Sequence, residues 1–184
     1  LVARGYLADY DRSTHDKDNV ATGISAEDEW WKRLQEMIQA ADVMVFAVSP
    51  DSAASKVCDE EIAYARSLGK RVIALLRREI DFATAPPRLA ALNVKIAIVG
   101  DDPAVFDAGV AQLSAALDRD VVWLREQTRL VLAAADWEQS GKREDELLRG
   151  AEISEAEAWS ARRPPSAPEV HALGHFRRVR RKCP

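Results

Sequence analysis

Residues 43–65 read VMVFAVSPDSAASKVCDEEIAYA, and the change of pattern inside this stretch decides the architecture. Residues 43–49 are a continuous apolar run, rich in β-branched side chains, that stops at Pro50. Such a run suits a strand covered on both faces, because neither of its alternating rows of side chains meets water. From residue 56 the period changes. Val57, Cys58, Ile62, Ala65 and Leu68 recur at helical spacing, and Gly69 closes the segment with Lys70 and Arg71 just beyond it. A strand feeding a helix is half of a parallel crossover unit, so the flanking sequence should repeat it.

The flanks do repeat it. RVIALL at 71–76 and VKIAIVG at 94–100 are further buried-strand runs, and residues 26–42 form a helical pattern with Ser25 as its N-cap. Early acids suit the positive end of that helix, and Trp31, Leu34, Ile38 and Ala41 share one face. YLADY at 6–10 reads as an earlier strand. After Gly100 the strand signals stop: residues 103–117, 120–142 and 144–161 are helical, with a break and a fresh start around Gly150 and Ser154, and RRPPSAP at 162–168 has the composition of a linker. The expected fold is α/β, a three-layer sandwich around a parallel sheet, followed by an α-helical extension.

With 184 residues and 47% hydrophobic content, the chain has material for one ordinary core and a smaller appendage. The net charge of -4 conceals an asymmetry, because Arg177, Arg178, Arg180, Arg181 and Lys182 crowd the carboxyl end. The main body is correspondingly acidic, which argues against a nucleic-acid partner. Cys58 and Cys183 lie far apart, with neither metal-ligand nor disulfide spacing, and a reducing cytoplasm suits them. No metal site is expected. No run approaches the ~18 apolar residues of a membrane span, and no signal peptide is evident. The chain begins with Leu rather than Met and is expected to be a fragment. A glycine-rich phosphate cradle is absent, which argues against a nucleoside-triphosphate hydrolase.

Glu60 and Glu61 are the chemically interesting residues of the opening stretch. At roughly 100° per residue, Glu61 falls within the arc of Val57, Cys58, Ile62, Tyr64, Ala65 and Leu68, whereas Glu60 falls at its edge or beyond, able to reach solvent with Asp59. A carboxylate on an apolar face is costly unless hydrogen-bonded, paired or neutralised, so Glu61 is either a site residue or a structural one bonded to a loop or to an arginine such as Arg71. Ser49 and Ser52 follow the strand's carboxyl end, where parallel sheets bind ligands; they could hold a ribose or phosphate, or cap the next helix. Cys58 shares the arc of Glu61 and reads first as a small packed hydrophobe. Trp30 could line a nucleotide cleft, although the spacing of the Trp30-Trp31 pair favours core packing for at least one of them.

The order WW..L...I.AAD, VMVFAVSP.S..S..C..E and GKRVIALL resembles the TIR (Toll/interleukin-1 receptor) domain, especially of the bacterial type, over approximately residues 1–118. The resemblance implies a flavodoxin-like parallel sheet and places the glutamate of NAD+-cleaving members at Glu61. It further implies NAD+ as substrate rather than cofactor and homotypic assembly through the loop at 11–24, with Asp11, Asp18, Gly23 and Ile24; Ser49, Ser52, Cys58 and Trp30 are then the candidate substrate contacts by their positions. The family's first strand, an F-[IV]-S-Y-like run, is missing, and the tryptophan that many NAD+-cleaving members carry four residues before the glutamate is replaced by Val57. The loop at 11–24 lacks the family's usual proline-glycine pair.

Residues 119–161 resemble the helical linker that joins bacterial TIR domains to carboxy-terminal sensor or repeat regions such as WD40 propellers, and 162–184 form a Pro-rich linker and basic tail. The functional expectation is a signal-transduction module with NAD+ nucleosidase activity. A non-catalytic TIR–TIR scaffold is the first alternative. A nucleoside deoxyribosyltransferase-like enzyme is the second, since that related fold also uses a glutamate. A receiver domain is disfavoured because the strand at 43–49 ends in Ser-Pro instead of an acceptor aspartate.

Overall fold

A computed structural model of the chain describes residues 2–8 and 26–165. Strands β1 (Val43–Val48), β2 (Arg71–Leu76) and β3 (Val94–Ala97) form a parallel sheet in the order β1-β2-β3. Val43 lies opposite Arg71, Val48 opposite Leu76 and Ile73 opposite Val94. Helix α1 (Ala26–Ala40) leads into β1, α2 (Pro50–Ala54) and α3 (Lys56–Ser67) carry the chain to β2, and the short α4 (Pro87–Ala90) precedes β3. Helices α5 (Pro103–Asp118), α6 (Val121–Gln139) and α7 (Ala151–Ala161) complete the described residues. Among these residues no helix is long and apolar enough to cross a membrane.

The two-residue period of the strands sorts their side chains into two cores. Met44, Phe46, Val48, Val72 and Ala74 meet α1 through Leu34 and Ile38 and α3 through Ile62 and Ala65. Val43, Val45, Ile73, Leu75 and Ile96 meet α5 through Leu113, Ala116 and Leu117. Helices therefore cover both faces, as in a flavodoxin-like sandwich. Gly109 lets α5 lie close to β3: a Cβ there would fall 2.2 Å from Ile98 Cγ2 and 2.9 Å from the Ala97 carbonyl oxygen.

Two short helices escape a reading based on periodicity. In α2, Ser49 is an N-cap with a capping box to Ser52, and Pro50 starts the helix; five residues are too few to show a period, though Ser-Pro-Asp-Ser is itself a cap signal. In α4 the chain reaches only one turn, after Pro86. Tyr6, Leu7 and Ala8 are not in a strand, contrary to the expectation for 6–10, and Asp9 and Tyr10 lie outside the described residues. Polar side chains tie that segment to α5 instead, with the Tyr6 hydroxyl donating to Asp118 Oδ1 at 2.8 Å and Arg4 to Ser114 Oγ at 3.3 Å. β3 stops at Ala97, short of residue 100; Ile98 N–H still donates to the Leu76 carbonyl at 2.9 Å, and Gly100 turns at φ 88°.

Helix α6 crosses the amino ends of the strands. Alternation at the start of β2 sends Arg71 toward the α5–α6 junction and Lys70 to the opposite side. Arg71 donates to the carbonyls of Ala116 and Arg119 and pairs with Asp120 at 3.3 Å. Lys70, 2% exposed, donates to the Gln39 carbonyl at 2.8 Å and to Thr128 Oγ1 at 3.0 Å. Gln127 Nε2 donates to the Gly69 carbonyl at 2.7 Å, and Thr128 donates to the Ala41 carbonyl at 3.4 Å.

Candidate functional site

The loop after β1 and the first turns of α3 build the region that the sequence singled out. Ser55 caps α3, its hydroxyl accepting from Cys58 N–H at 3.3 Å. Ser49 Oγ accepts from Ser52 N–H at 3.2 Å, and Ser52 Oγ donates to the Ala47 carbonyl at 3.0 Å. Both serine hydroxyls thus serve the turn that carries the chain from strand to helix. Arg78, just past β2, pairs with Asp51 at 2.7 Å and fastens α2 to the neighbouring strand's loop.

The two glutamates differ in position. Glu60 is exposed, whereas Glu61 is half-buried beside the buried Ile62. Cys58, also half-buried, feels the negative charge of Glu61. Burial chiefly, and the Glu61 charge secondarily, push the Cys58 thiol above its ordinary value, against a smaller opposing effect of the Ser55 hydrogen bond. A thiol held neutral is a poor nucleophile, so Cys58 keeps the packing role that its spacing suggested. Arg71, weighed as a structural partner for Glu61, is engaged with Asp120 at the amino end of the sheet.

One helical turn beyond Glu61, Tyr64 links α3 to α1. Its ring centroid is 6.3 Å from that of Trp31, and its hydroxyl accepts from Gln39 Nε2 at 2.5 Å. Trp30 is 6.1 Å from Trp31, and both pack against the core shared by α1 and α3. Gln39 was not singled out in the sequence, and Tyr64 entered only as one residue of the arc around Glu61; the signal available was a tyrosine three residues after Glu61, on the same flank of the helix.

A surface groove of about 490 Å³ opens on the other side of α3, lined by Lys56, Asp59, Glu60, Pro86 and Arg88 among others. The ion pair of Asp59 and Arg88 spans it, joining α3 to α4. Glu60 lines this groove and Glu61 does not. Ser52, Ser55 and Cys58 line a second hollow of about 10 Å³, room for about one water molecule. The structure therefore brings Cys58 to Glu61 and spends Ser49 and Ser52 on capping, while Trp30 sits on α1 beside Trp31. Asp11, Asp18, Gly23 and Ile24 lie outside the described residues. Among the described residues, no group of three or more His, Cys, Asp and Glu side chains could hold a metal ion.

The family model for the TIR domain matches residues 13–114, a span that ends within α5. No curated protein and no solved structure matches the chain. The matched span contains the whole sheet, Glu61 and the serine turn, and the chain belongs to the TIR-domain family, a family of signal-transduction modules.

Proposed function

We propose that this TIR domain cleaves NAD+ at the bond between nicotinamide and ribose, with Glu61 as the catalytic carboxylate and homotypic assembly completing the site. The observation that carries this reading is the placement of Glu61: half-buried in α3, next to a thiol held neutral, and one turn before Tyr64, which bonds Gln39 of α1. Nicotinamide departs as a neutral base, taking the electron pair of the C1′–N bond, so no general acid is required. The ribose passes through an oxocarbenium-like state, which a carboxylate held against it stabilises. Water then adds to C1′ and releases a proton, giving ADP-ribose, nicotinamide and H+.

A second reading, a scaffold that assembles without turnover, is favoured by one feature: the 490 Å³ groove lies on the Glu60 side of α3. Nicotinamide release from NAD+ over a range of protein concentrations separates the two. Catalysis through Glu61 requires release that rises more steeply than concentration and disappears in Glu61→Ala but not in Glu60→Ala. Equal turnover in Glu61→Ala removes the catalytic assignment, and no release at any concentration favours the scaffold.

A further inference from the structure

Helix α7 buries little of its surface against the rest of the chain. Trp159 is its one buried residue, Ala156 is half-buried, and its remaining side chains are exposed. Trp159 stacks on Trp123 of α6, with centroids 4.6 Å apart and planes 18° from parallel. Each indole N–H donates to the other residue's carbonyl, Trp123 to Trp159 at 3.2 Å and Trp159 to Trp123 at 3.0 Å. The connection from α6 to α7 has left-handed backbone near both ends, at Gly141 (φ 86°) and Lys142 (φ 64°) and again at Gly150 (φ 52°). Beyond this stacking, Ala156 packs on the same cluster and Glu152 and Glu155 lie within electrostatic reach of Arg129 of α6. A helix with a single buried side chain, with glycine pivots behind it, belongs to the low-stability end of local unfolding.

The surface beneath α7 is not independent of the main body. Trp123, Leu124, Leu130 and Trp159 form one cluster, which Val43 at the start of β1 joins. A few residues along α6 lie Gln127 and Thr128, whose side chains satisfy the carbonyls of Gly69 and Ala41 and one donor of Lys70. Lys70 and Gln39 carry the contact onward, since the Gln39 carbonyl accepts from Lys70 and its amide donates to Tyr64 of α3. Buried polar groups of this kind resist partial separation, because each lost partner leaves another group unsatisfied.

We propose that α7 is a releasable strap pinned by Trp159, and that its docking and the docking of α6 across Gly69, Lys70 and Ala41 are one cooperative event that tightens the α1–α3 seam. Load on, or ligand binding to, the chain just beyond residue 161 acts first on this pin, two residues away. Release exposes the Trp123 face and loosens the last turn of α1. The inference stands whether or not Glu61 is catalytic, because its readout is backbone protection and not turnover.

The test is amide hydrogen exchange on the full chain with Trp159→Ala and, separately, Thr128→Val, which keeps the side-chain shape and removes the hydroxyl. Trp159→Ala should raise exchange about tenfold or more in α7, in α6 and in residues 37–41, while α5 and β3 keep their wild-type protection. Exchange that rises in α7 alone overturns the proposal. Should Trp159→Ala fail to fold, Thr128→Val decides: it should raise exchange in α7, and an unchanged α7 overturns the coupling.

Discussion

The ammonium of Lys70 lies 3.0 Å from Thr128 Oγ1, joining the start of β2 to α6 in a place water does not reach. Burial lowers the pKa of this amine from 10.5 to about 8, and the nearby Asp42 carboxylate offsets only part of that effect. A lowered folded-state pKa means that, between about pH 8 and 10.5, the unfolded chain binds more protons at this site than the folded chain. The contribution of Lys70 to stability must therefore rise with pH across that window. Below pH 8 both states are protonated, and folding bears the full cost of burying the charge. Denaturant unfolding of wild type and Lys70→Met from pH 7 to 10.5 should show their difference shifting in favour of wild type, by at most ~1.4 kcal/mol per pH unit. A pH-independent difference contradicts the assignment.

Cys58 reports on Glu61. In a Cys183→Ser background, Cys58 should alkylate slowly with iodoacetamide at neutral pH, because burial and the Glu61 charge keep the thiol protonated. Removing that charge with Glu61→Gln should lower the thiol pKa and speed alkylation several-fold near pH 8. The pH profile of the rate distinguishes this from a general loosening, which would raise the rate without moving the midpoint.

For the proposed reaction, Glu61→Ala should cost about 100-fold or more in NAD+ turnover, the scale seen when a group aimed at transition-state charge is removed. Glu60→Ala should stay within a factor of about two, since Glu60 is exposed and lines the groove toward α4. Thermal midpoints of both variants should stay close to wild type, so that a loss of turnover reads as chemistry.

Gly109→Ala should destabilise the fold by about 1–3 kcal/mol through overpacking, since a methyl group there overlaps Ile98 Cγ2 and crowds the Ala97 carbonyl. Adding Ile98→Ala should recover part of that loss, because it removes the overlapping methyl; purely additive effects would locate the strain elsewhere.

Ser49→Ala should cost about 1 kcal/mol by uncapping α2. The carboxyl end of β1 and the start of α3 should then exchange faster than β3, which the capping contacts do not reach. Equal changes throughout the sheet would mean that the cap matters only through global stability.

How far the sequence could be read follows the range of each interaction. The strands at 43–48 and 71–76 and the helix at 56–67 were legible because burial imposes a period on consecutive residues, and the period survives in one dimension. The distinction between Glu60 and Glu61 was legible for the same reason, as an angular position on a helix. Short helices such as α2 and α4 carry too few residues for a period, and the residues at 6–8 follow contacts with Ser114 and Asp118 that lie far along the chain.

By itself, then, the sequence determined the parallel α/β core, the helical character after Gly100 and the greater burial of Glu61 than of Glu60, all of them consequences of local periodicity. Only the tertiary structure decided that Ser49 and Ser52 are spent on capping, that Tyr64 and Gln39 close the seam beside Glu61, and that α6 and α7 are fastened beneath the sheet by Lys70 and by the paired tryptophans. Those contacts join residues tens of positions apart, and their geometry exists only once the layers have packed.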